Sequence, residues 1–457
     1  MRREAKVVVW GAVSLSAVLL AAFGVLCCYF YFASPVSPVV EDGDIRQELP
    51  ELADADNAYA AFLAATNLLV YSSADRDRCV AYLEYARGYT NRICRAGKDF
   101  DAAGCRQECD RVLSEHARFF DEFHRIAGLS GYRAFSEQGD VVFLPPISKM
   151  SWARQLLILK SVRSREEGDF QAALTAARDL LRFFSLCRDN ASSLVELLVG
   201  AGCCSSAYFL LAENATDKDV PDEVLSEIAA LTAGGADEDD IFRRAMKREY
   251  AMVSCAGLKS IDECVQKGDA RQLFTDDTVK AWYTPAIAFL VPSSLLKDFA
   301  FNRAATQQVI ADRFRTAMSG KRLGTERIKI GVFCPNWIGL LVRKSLQPAF
   351  DRCRTGLKGC TFRTLASRVA VAAQRYRRAH GGDYPTDLSQ LVPAYMDAVP
   401  RDPFAPDREL GYDGSTLMLW TVGEEGDFSP LGSAGKKTDT YDHKQRRCFV
   451  YLDLRPR

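Results

Sequence analysis

Between residues 365 and 412 the spacing of apolar positions changes character once. Leu365, Val369, Ala372, Ala373 and Tyr376 recur at steps of three and four, which places them on one face of a helix. Arg368, Arg375, Arg377 and Arg378 fall mostly outside that face, as a solvated side requires. Gly381 and Gly382 follow, and glycine supplies the left-handed backbone that ends a helix. Arg378 and His380 lie beside its negative end. Beyond them Pro385, Pro393, Pro400, Pro403 and Pro406 fix the dihedrals of an irregular path. Tyr384, Leu388, Leu391, Val392, Tyr395, Met396, Val399 and Phe404 lie between the prolines. So apolar a wrap must pack, and the preceding helix is the nearest surface. Full burial of one such side chain is worth roughly 1.5–3 kcal/mol before chain entropy is subtracted.

At the other end, residues 7–32 carry no charged side chain. About 26 residues make ~39 Å of helix, enough to cross a bilayer with some tilt. Arg2, Arg3 and Lys6 precede the run and Glu41, Asp42 and Asp44 follow it, so the N-terminus is predicted inside and the bulk of the chain outside. Tyr29, Phe30, Tyr31 and Phe32 form an aromatic belt at the outer interface. The rival reading is a signal peptide cut at Ala33–Ser34, for which the apolar run is too long. Cys27 and Cys28 do not fit lipidation, because Leu26 sits where a small residue is needed. Residues 34–50, with Pro35, Pro38, Pro50 and several acids, read as an extended linker over the membrane surface.

From 51 to about 358 the periodicity is almost wholly helical. Asp54 is placed to cap a helix carrying Tyr59, Phe62, Leu63 and Leu69; a second helix spans about 77–95. A third follows Asp101 and buries Val112, Leu113, Phe119, Phe120, Phe123 and Ile126. Residues 139–147 are the one extended break. A hairpin comes next: 152–167, Gly168–Asp169 as stop and cap, then 170–187. Pro221 with Asp222 and Glu223 opens a further helix that Gly234 and Gly235 end, and 237–240 begin the next. The apolar stretch 289–301 is broken by Pro292 and is too short, and too charged at Lys297 and Asp298, to be a second span. After Tyr412 the period becomes two: 417–422 and 448–454 read as strands joined by a polar loop, 424–447.

Length and charge narrow the classes. The 457 residues allow two or three domains with sizeable cores, and 48% hydrophobic residues exclude a disordered chain. Lys+Arg and Asp+Glu are both 59, so no global basic charge points to nucleic acid, and no nucleic-acid partner is expected.

Gly382, Tyr384, Pro385, Leu388, Leu391, Pro400, Asp402, Pro403, Phe404 and Tyr412 follow a helix in an order that resembles the periplasmic domain of type II secretion major pseudopilins. The resemblance covers roughly the last fifth of the chain and implies a calcium site in the following loop. It departs from the family at the other end: no basic leader, glycine-ending peptidase site and nearby Glu occur near Arg2–Gly11, so a borrowed fold is expected rather than assembly into a pilus. Separately, Gly168, Phe170, Ala172, Ala173 and Ala176 are similar to the second half of one tetratricopeptide unit.

Candidate chemistry is sparse. Glu424, Glu425, Asp427, Asp439 and Asp442 offer hard oxygen ligands of the kind calcium takes, although Lys436 and Lys437 dilute the charge and an ordinary solvated loop accounts for the same residues. Of the 15 cysteines all but Cys27 and Cys28 lie beyond the anchor, where an oxidising compartment allows disulfides. Cys94 and Cys105 flank a predicted hairpin loop; Cys105 and Cys109, one helical turn apart, could instead join His116 or His124 around zinc. Most helical cysteines, including Cys203 and Cys204, read as small buried hydrophobes. His380 is explained by its helix end, and Ser294 with Lys297 matches S-x-x-K without partner motifs. No nucleophile elbow, HExxH or phosphate loop occurs, so no catalytic residue is expected.

The sequence therefore predicts a mainly α chain: a cytoplasmic stub and transmembrane signal anchor (1–33), a linker (34–50), a helical-hairpin array (51–360) and a C-terminal α+β pseudopilin-like domain (361–457). The expected setting is the bacterial inner membrane, single-pass, with the bulk of the chain extracytoplasmic. The expected role is binding or scaffolding of an envelope protein. The alternatives are a periplasmic hydrolase whose site is assembled from distant residues, and a calcium-stabilised module.

Overall fold

The structure is a computed structural model that describes residues 24–34, 37–46, 52–70, 72–86, 101–134, 146–234, 237–267, 291–320, 334–415, 417–423 and 451–453. The chain is mainly helical with a small C-terminal sheet region. It divides into two units, one made of 1–49, 138–142 and 246–350, the other of 50–137, 143–245 and 351–457.

In the first unit, α1 (Gly24–Ala33) buries Phe30 against Val291, Leu296, Phe299, Ala300 and Trp337. Phe30 meets Phe299 edge-on at 4.5 Å between ring centres, while Tyr31 and Phe32 stay exposed. Residues 7–23 of the expected span lie outside the described residues. Segment 37–46, expected as an extended linker, is packed instead. Ile45 is buried, and the Asp42 carboxylate accepts hydrogen bonds from Tyr250 Oη (2.7 Å), Gln307 Nε2 (2.8 Å) and Arg46 Nη2 (2.9 Å). Burial alone would raise the Asp42 pKa; these three partners outweigh it and hold the carboxyl below its usual range. The sequence suggested a free linker because its prolines and acids are turn-like, whereas Asp42 meets donors from Tyr250 and Gln307 that lie more than 200 positions away.

The second unit holds the helical body. Its helices include α2 (Ala58–Ala65), α3 (Ser73–Ala86), α4 (Ala102–Glu115), α5 (Ala117–Ala127), α6 (Ile147–Glu166), α7 (Phe170–Asp189), α8 (Leu194–Ala215) and α9 (Asp222–Ala233). Asn57, not Asp54, caps α2, its Oδ1 accepting from the Tyr59 N–H at 3.1 Å. Asp101 and Asp169 cap α4 and α7 as their sequence positions predicted. The single helix expected after Asp101 breaks at His116, whose buried ring nitrogens meet the carbonyls of Val112 (2.8 Å) and Val70 (3.1 Å). Phe62, Phe123, Tyr132 and Phe183 make the aromatic centre of the core, with Phe183 5.1 Å from Phe62 and 5.2 Å from Phe123.

Helix α8 is long and apolar enough to cross a membrane by length and composition, yet most of it is buried within the protein, where it packs on α6 and α7. Its first turn carries the buried Glu196, which accepts from the Ser192 N–H at 2.7 Å while Ser193 Oγ accepts from the Glu196 N–H. A buried, capped carboxylate suits a protein core.

The next helices are α10 (Glu238–Met252), α11 (Leu258–Lys267), α12 (Ser293–Ala300), α13 (Arg303–Met318) and α14 (Trp337–Ala379). The boundary expected between 360 and 361 falls inside α14. The helix ends as predicted: Gly381 and Gly382 have φ of 68° and 107°, and the Gly382 N–H reaches back to the Arg377 carbonyl at 2.9 Å. The proline-rich wrap then covers the helix. Leu388, Leu391, Leu410 and Leu419 join the core that holds Val369, Ala372 and Ala373. Strands β1 (Arg401–Asp402) and β2 (Ala405–Glu409) pair antiparallel. Strands β3 (Gly411–Asp413), β4 (Met418–Trp420) and β5 (Tyr451–Asp453) form a three-stranded antiparallel sheet, with Leu419 opposite Tyr412 and Leu452. Asp402 ties the two sheets. Fully buried, it accepts from the Phe404 N–H (2.8 Å), Thr421 Oγ1 (2.5 Å) and the Val422 N–H (2.8 Å).

Candidate functional site

The second unit contains a cleft of about 380 Å³ at the C-terminal end of α7, lined also by α8, the start of α10 and the middle of α14. Its size lies in the range of small-ligand sites. What places its residues is a close helix approach. A Cβ on Gly200 of α8 would lie 2.7 Å from the Arg188 backbone nitrogen, so only glycine lets α8 come so near the end of α7.

That approach buries Arg188 at the cleft. Its Nε donates to Asp189 Oδ1 at 2.7 Å and its Nη1 to Cys360 Sγ at 3.5 Å. The Cys360 thiol is held below the usual thiol range, first by a hydrogen bond from Cys204 and then by the Arg188 guanidinium, both working against burial. Burial pushes Cys204 in the opposite direction, well above that range. Ser185 Oγ stands 3.6 Å from Cys204 Sγ.

Glu238, the first residue of α10, faces the same cleft. Burial pushes its carboxyl up to about 7, with Lys358 and Arg188 pulling the other way. Its buried Oε1 has no hydrogen-bond partner among the described residues. At the rim, Arg368 donates through Nε to the Thr232 carbonyl and through Nη2 to the Ala233 carbonyl (2.6 Å), closing the end of α9. Tyr208, Thr361 and Thr364 add hydroxyls. The wall thus carries two guanidiniums, the Asp189 carboxylate and a carboxyl that is half neutral near pH 7. Its donors come from Arg188, Arg368 and the hydroxyls, part of them already spent on Asp189, Cys360 and the end of α9, and those that remain suit an anionic group. The neighbours of the Cys360 sulfur stabilise a thiolate rather than take its proton.

The residues singled out from sequence fall elsewhere. Glu424, Glu425, Asp427, Asp439 and Asp442 lie outside the described residues, as does Cys94. Among the described residues no group of three or more His, Cys, Asp or Glu side chains is placed to hold a metal. The zinc alternative at Cys105 and Cys109 does not assemble: His116 spends both nitrogens on carbonyls, and His124 Nδ1 pairs with Asp179 Oδ2 at 2.8 Å. Cys109 faces Cys79 instead, 4.0 Å away. His380 stacks on Tyr376 at 3.8 Å. Lys297 of the S-x-x-K match donates to the Gln266 carbonyl at 2.6 Å.

Sequence reasoning missed Arg188, Glu238 and the Cys204–Cys360 pair. One signal was available: Glu238 lies in the acidic run that opens α10, where the helix dipole explained it too readily. Cys360 carried none, because the partners of its thiol are 155 or more positions away in the chain. Comparison with protein-family models, curated proteins and solved structures finds no match to this chain.

Proposed function

We propose that the chain is a membrane-anchored envelope protein whose helical body binds a protein partner by a carboxylate-bearing chain end. The observation that carries the reading is the cleft itself. A buried Arg188, a Glu238 carboxyl near neutrality and a ring of hydroxyls offer an anion more donors than acceptors. A cleft of about 380 Å³ takes a chain end or one side chain, not a broad protein face. The reading places residues 7–32 in the inner membrane and the body outside the cytoplasm, supported by the charge asymmetry around the apolar run. The α14 end with its wrap and small sheets is read as a pseudopilin-like module used as structure, and calcium as the cation of its 424–442 loop.

The test is a crosslinking pull-down from intact membranes, comparing the native chain with Thr361→Trp, which fills the cleft from its lip. The reading expects one protein recovered with the native chain and lost with the variant at unchanged melting temperature. Identical recoveries from both would overturn it.

A hydrolase is the second reading, favoured by one specific observation: a thiol held below its usual range and a carboxyl raised to about 7 line one cleft. It expects turnover of carboxylate-bearing esters or thioesters that Cys360→Ser abolishes while leaving binding intact. Binding without turnover in the native chain retires it.

A further inference from the structure

Helices α3 and α4 lie antiparallel in a register set by two ion pairs. Arg111 Nη2 meets Asp75 Oδ1 at 3.0 Å, and Arg78 Nη1 meets Glu108 Oε1 at 3.0 Å. The paired positions run in opposite directions along the two helices, so the residues beside them are also brought face to face. Cys79 and Cys109 occupy that place. Both are buried, their sulfurs are 4.0 Å apart, and they stand 30 positions apart in the chain.

We propose that Cys79 and Cys109 form a disulfide that staples α3 to α4. A bonded pair needs sulfurs about 2 Å apart, reached from the present geometry by a side-chain rotation. The oxidant is a small-molecule or protein disulfide. One protein thiolate attacks its S–S bond and releases one thiol. The second protein thiolate attacks the resulting mixed disulfide and releases the other. Two protein thiols become one disulfide, two protons leave, and the two electrons end on the two released thiols. The Cys109 thiol donates towards Cys79, which lowers the Cys79 pKa against the effect of burial and turns the two sulfurs towards each other in the folded body. Cys109 is raised, first by that same bond and then by burial. Because both sulfurs are sealed in the folded body, exchange proceeds when the α3–α4 pair is open, as it is during folding.

The pairing differs from the one that chain position suggests. Chain position pairs Cys105 with Cys94, which lies outside the described residues; Cys105 sits one turn from Cys109 on α4 and is only half-buried, whereas Cys79 shares a buried face with Tyr82 and Leu83.

The full-length chain in detergent is equilibrated with reduced and oxidised glutathione in mild urea, trapped by alkylation and digested with trypsin without reduction. Cleavage after Arg78, Arg87, Arg106 and Arg111 leaves Cys79 and Cys109 each alone on its peptide. The proposal expects the two peptides joined, at a mass two hydrogens below their sum. It also expects the link to vanish with dithiothreitol, and Cys79 to return as an alkylated thiol in Cys109→Ala. The native chain is expected to melt several degrees higher oxidised than reduced, a difference absent from Cys79→Ala. Recovery of both cysteines as alkylated thiols in the most oxidising buffer overturns the proposal, and so does Cys109 joined to any other cysteine. Because this readout involves no ligand or membrane orientation, it fails or holds separately from the function proposed above.

Discussion

Asp402 shows how one side chain can hold a motif together. Its carboxylate gathers two backbone N–H groups and one hydroxyl across the junction of the two small sheets, with no exposure to water. Asp402→Ala leaves those donors buried and unpaired, and a loss of about 2–4 kcal/mol in a denaturant titration is expected. Asp402→Asn, which keeps an acceptor, should lose less. Glu238 makes the opposite kind of prediction. Its folded-state pKa, about 7, lies above the ordinary 4.5, so its contribution to stability is present below about 4.5 and is lost as pH rises through about 7. Glu238→Gln should therefore gain on the native chain between those pH values, by at most ~3.5 kcal/mol at 1.4 kcal/mol per pKa unit. An unchanged difference across that window would show that the carboxyl is not buried as described. Cys360 supplies a chemical check. Iodoacetate carries a negative charge and iodoacetamide none, so Arg188 should favour the former. The ratio of the two labelling rates at Cys360 is expected to exceed that at the exposed Cys264 by roughly three- to tenfold, about 1 kcal/mol of field. Equal ratios would count against an anion-selective cleft. Of these residues only Asp402 was marked in the sequence, by the prolines around it. Glu238 and Cys360 acquire their chemistry from neighbours that local spacing does not reveal.

The elements were legible where capping and periodicity agree. The hairpin of α6 and α7 appears with its turn at Gly168–Asp169, and the wrap covers the end of α14 as its leucines required. Three elements were misread for identifiable reasons. Asn57 took the capping role given to Asp54 because its side chain also donates to the Arg133 carbonyl (2.9 Å) and accepts from the Arg133 N–H (2.9 Å), a tertiary tie invisible from sequence. The helix after Asp101 splits because His116 turns its ring to two carbonyls, and no proline or glycine announces the break. The start of α14 at Trp337 was missed because its apolar positions keep to no single face over 43 residues. Gly200 is the element-scale test. Gly200→Ala pushes a methyl into the backbone of Arg188, and helices α7 and α8 must part to admit it. A loss of about 1–3 kcal/mol is expected, with a lowered rate of iodoacetate labelling at Cys360 as Arg188 shifts. A neutral substitution would mean that the helices do not approach as closely as described.

At the scale of the whole molecule, the chain combines an uncharged N-terminal run, a helical body and a wrapped, sheeted C-terminal end. The coarse class was readable because helical periodicity dominates 51–358, but β1, β2 and β3 begin before the period-two stretch read after Tyr412, inside the wrap whose prolines hid them. Helix α8 shows the limit of composition: its residues pass for a membrane span, and its buried Glu196 and packing on α6 and α7 make it a core helix. The acidic loop, which drew the calcium expectation, lies outside the described residues. A direct check is calorimetry of the full chain with and without calcium. A rise in melting temperature is expected in the native chain, and none in Asp427→Ala with Asp439→Ala. We propose that the cleft lined by α7, α10 and α14 is where a partner's carboxylate end docks. It is tested most directly by placing a diazirine leucine analogue at Leu365 in the cleft and, as a control, at the exposed Leu63 of α2, then irradiating intact membranes. The prediction is one discrete protein adduct from position 365, joined through its last residues, and none from position 63. Adducts that are the same from both positions, or an irradiated cleft that captures only lipid and water, would contradict it.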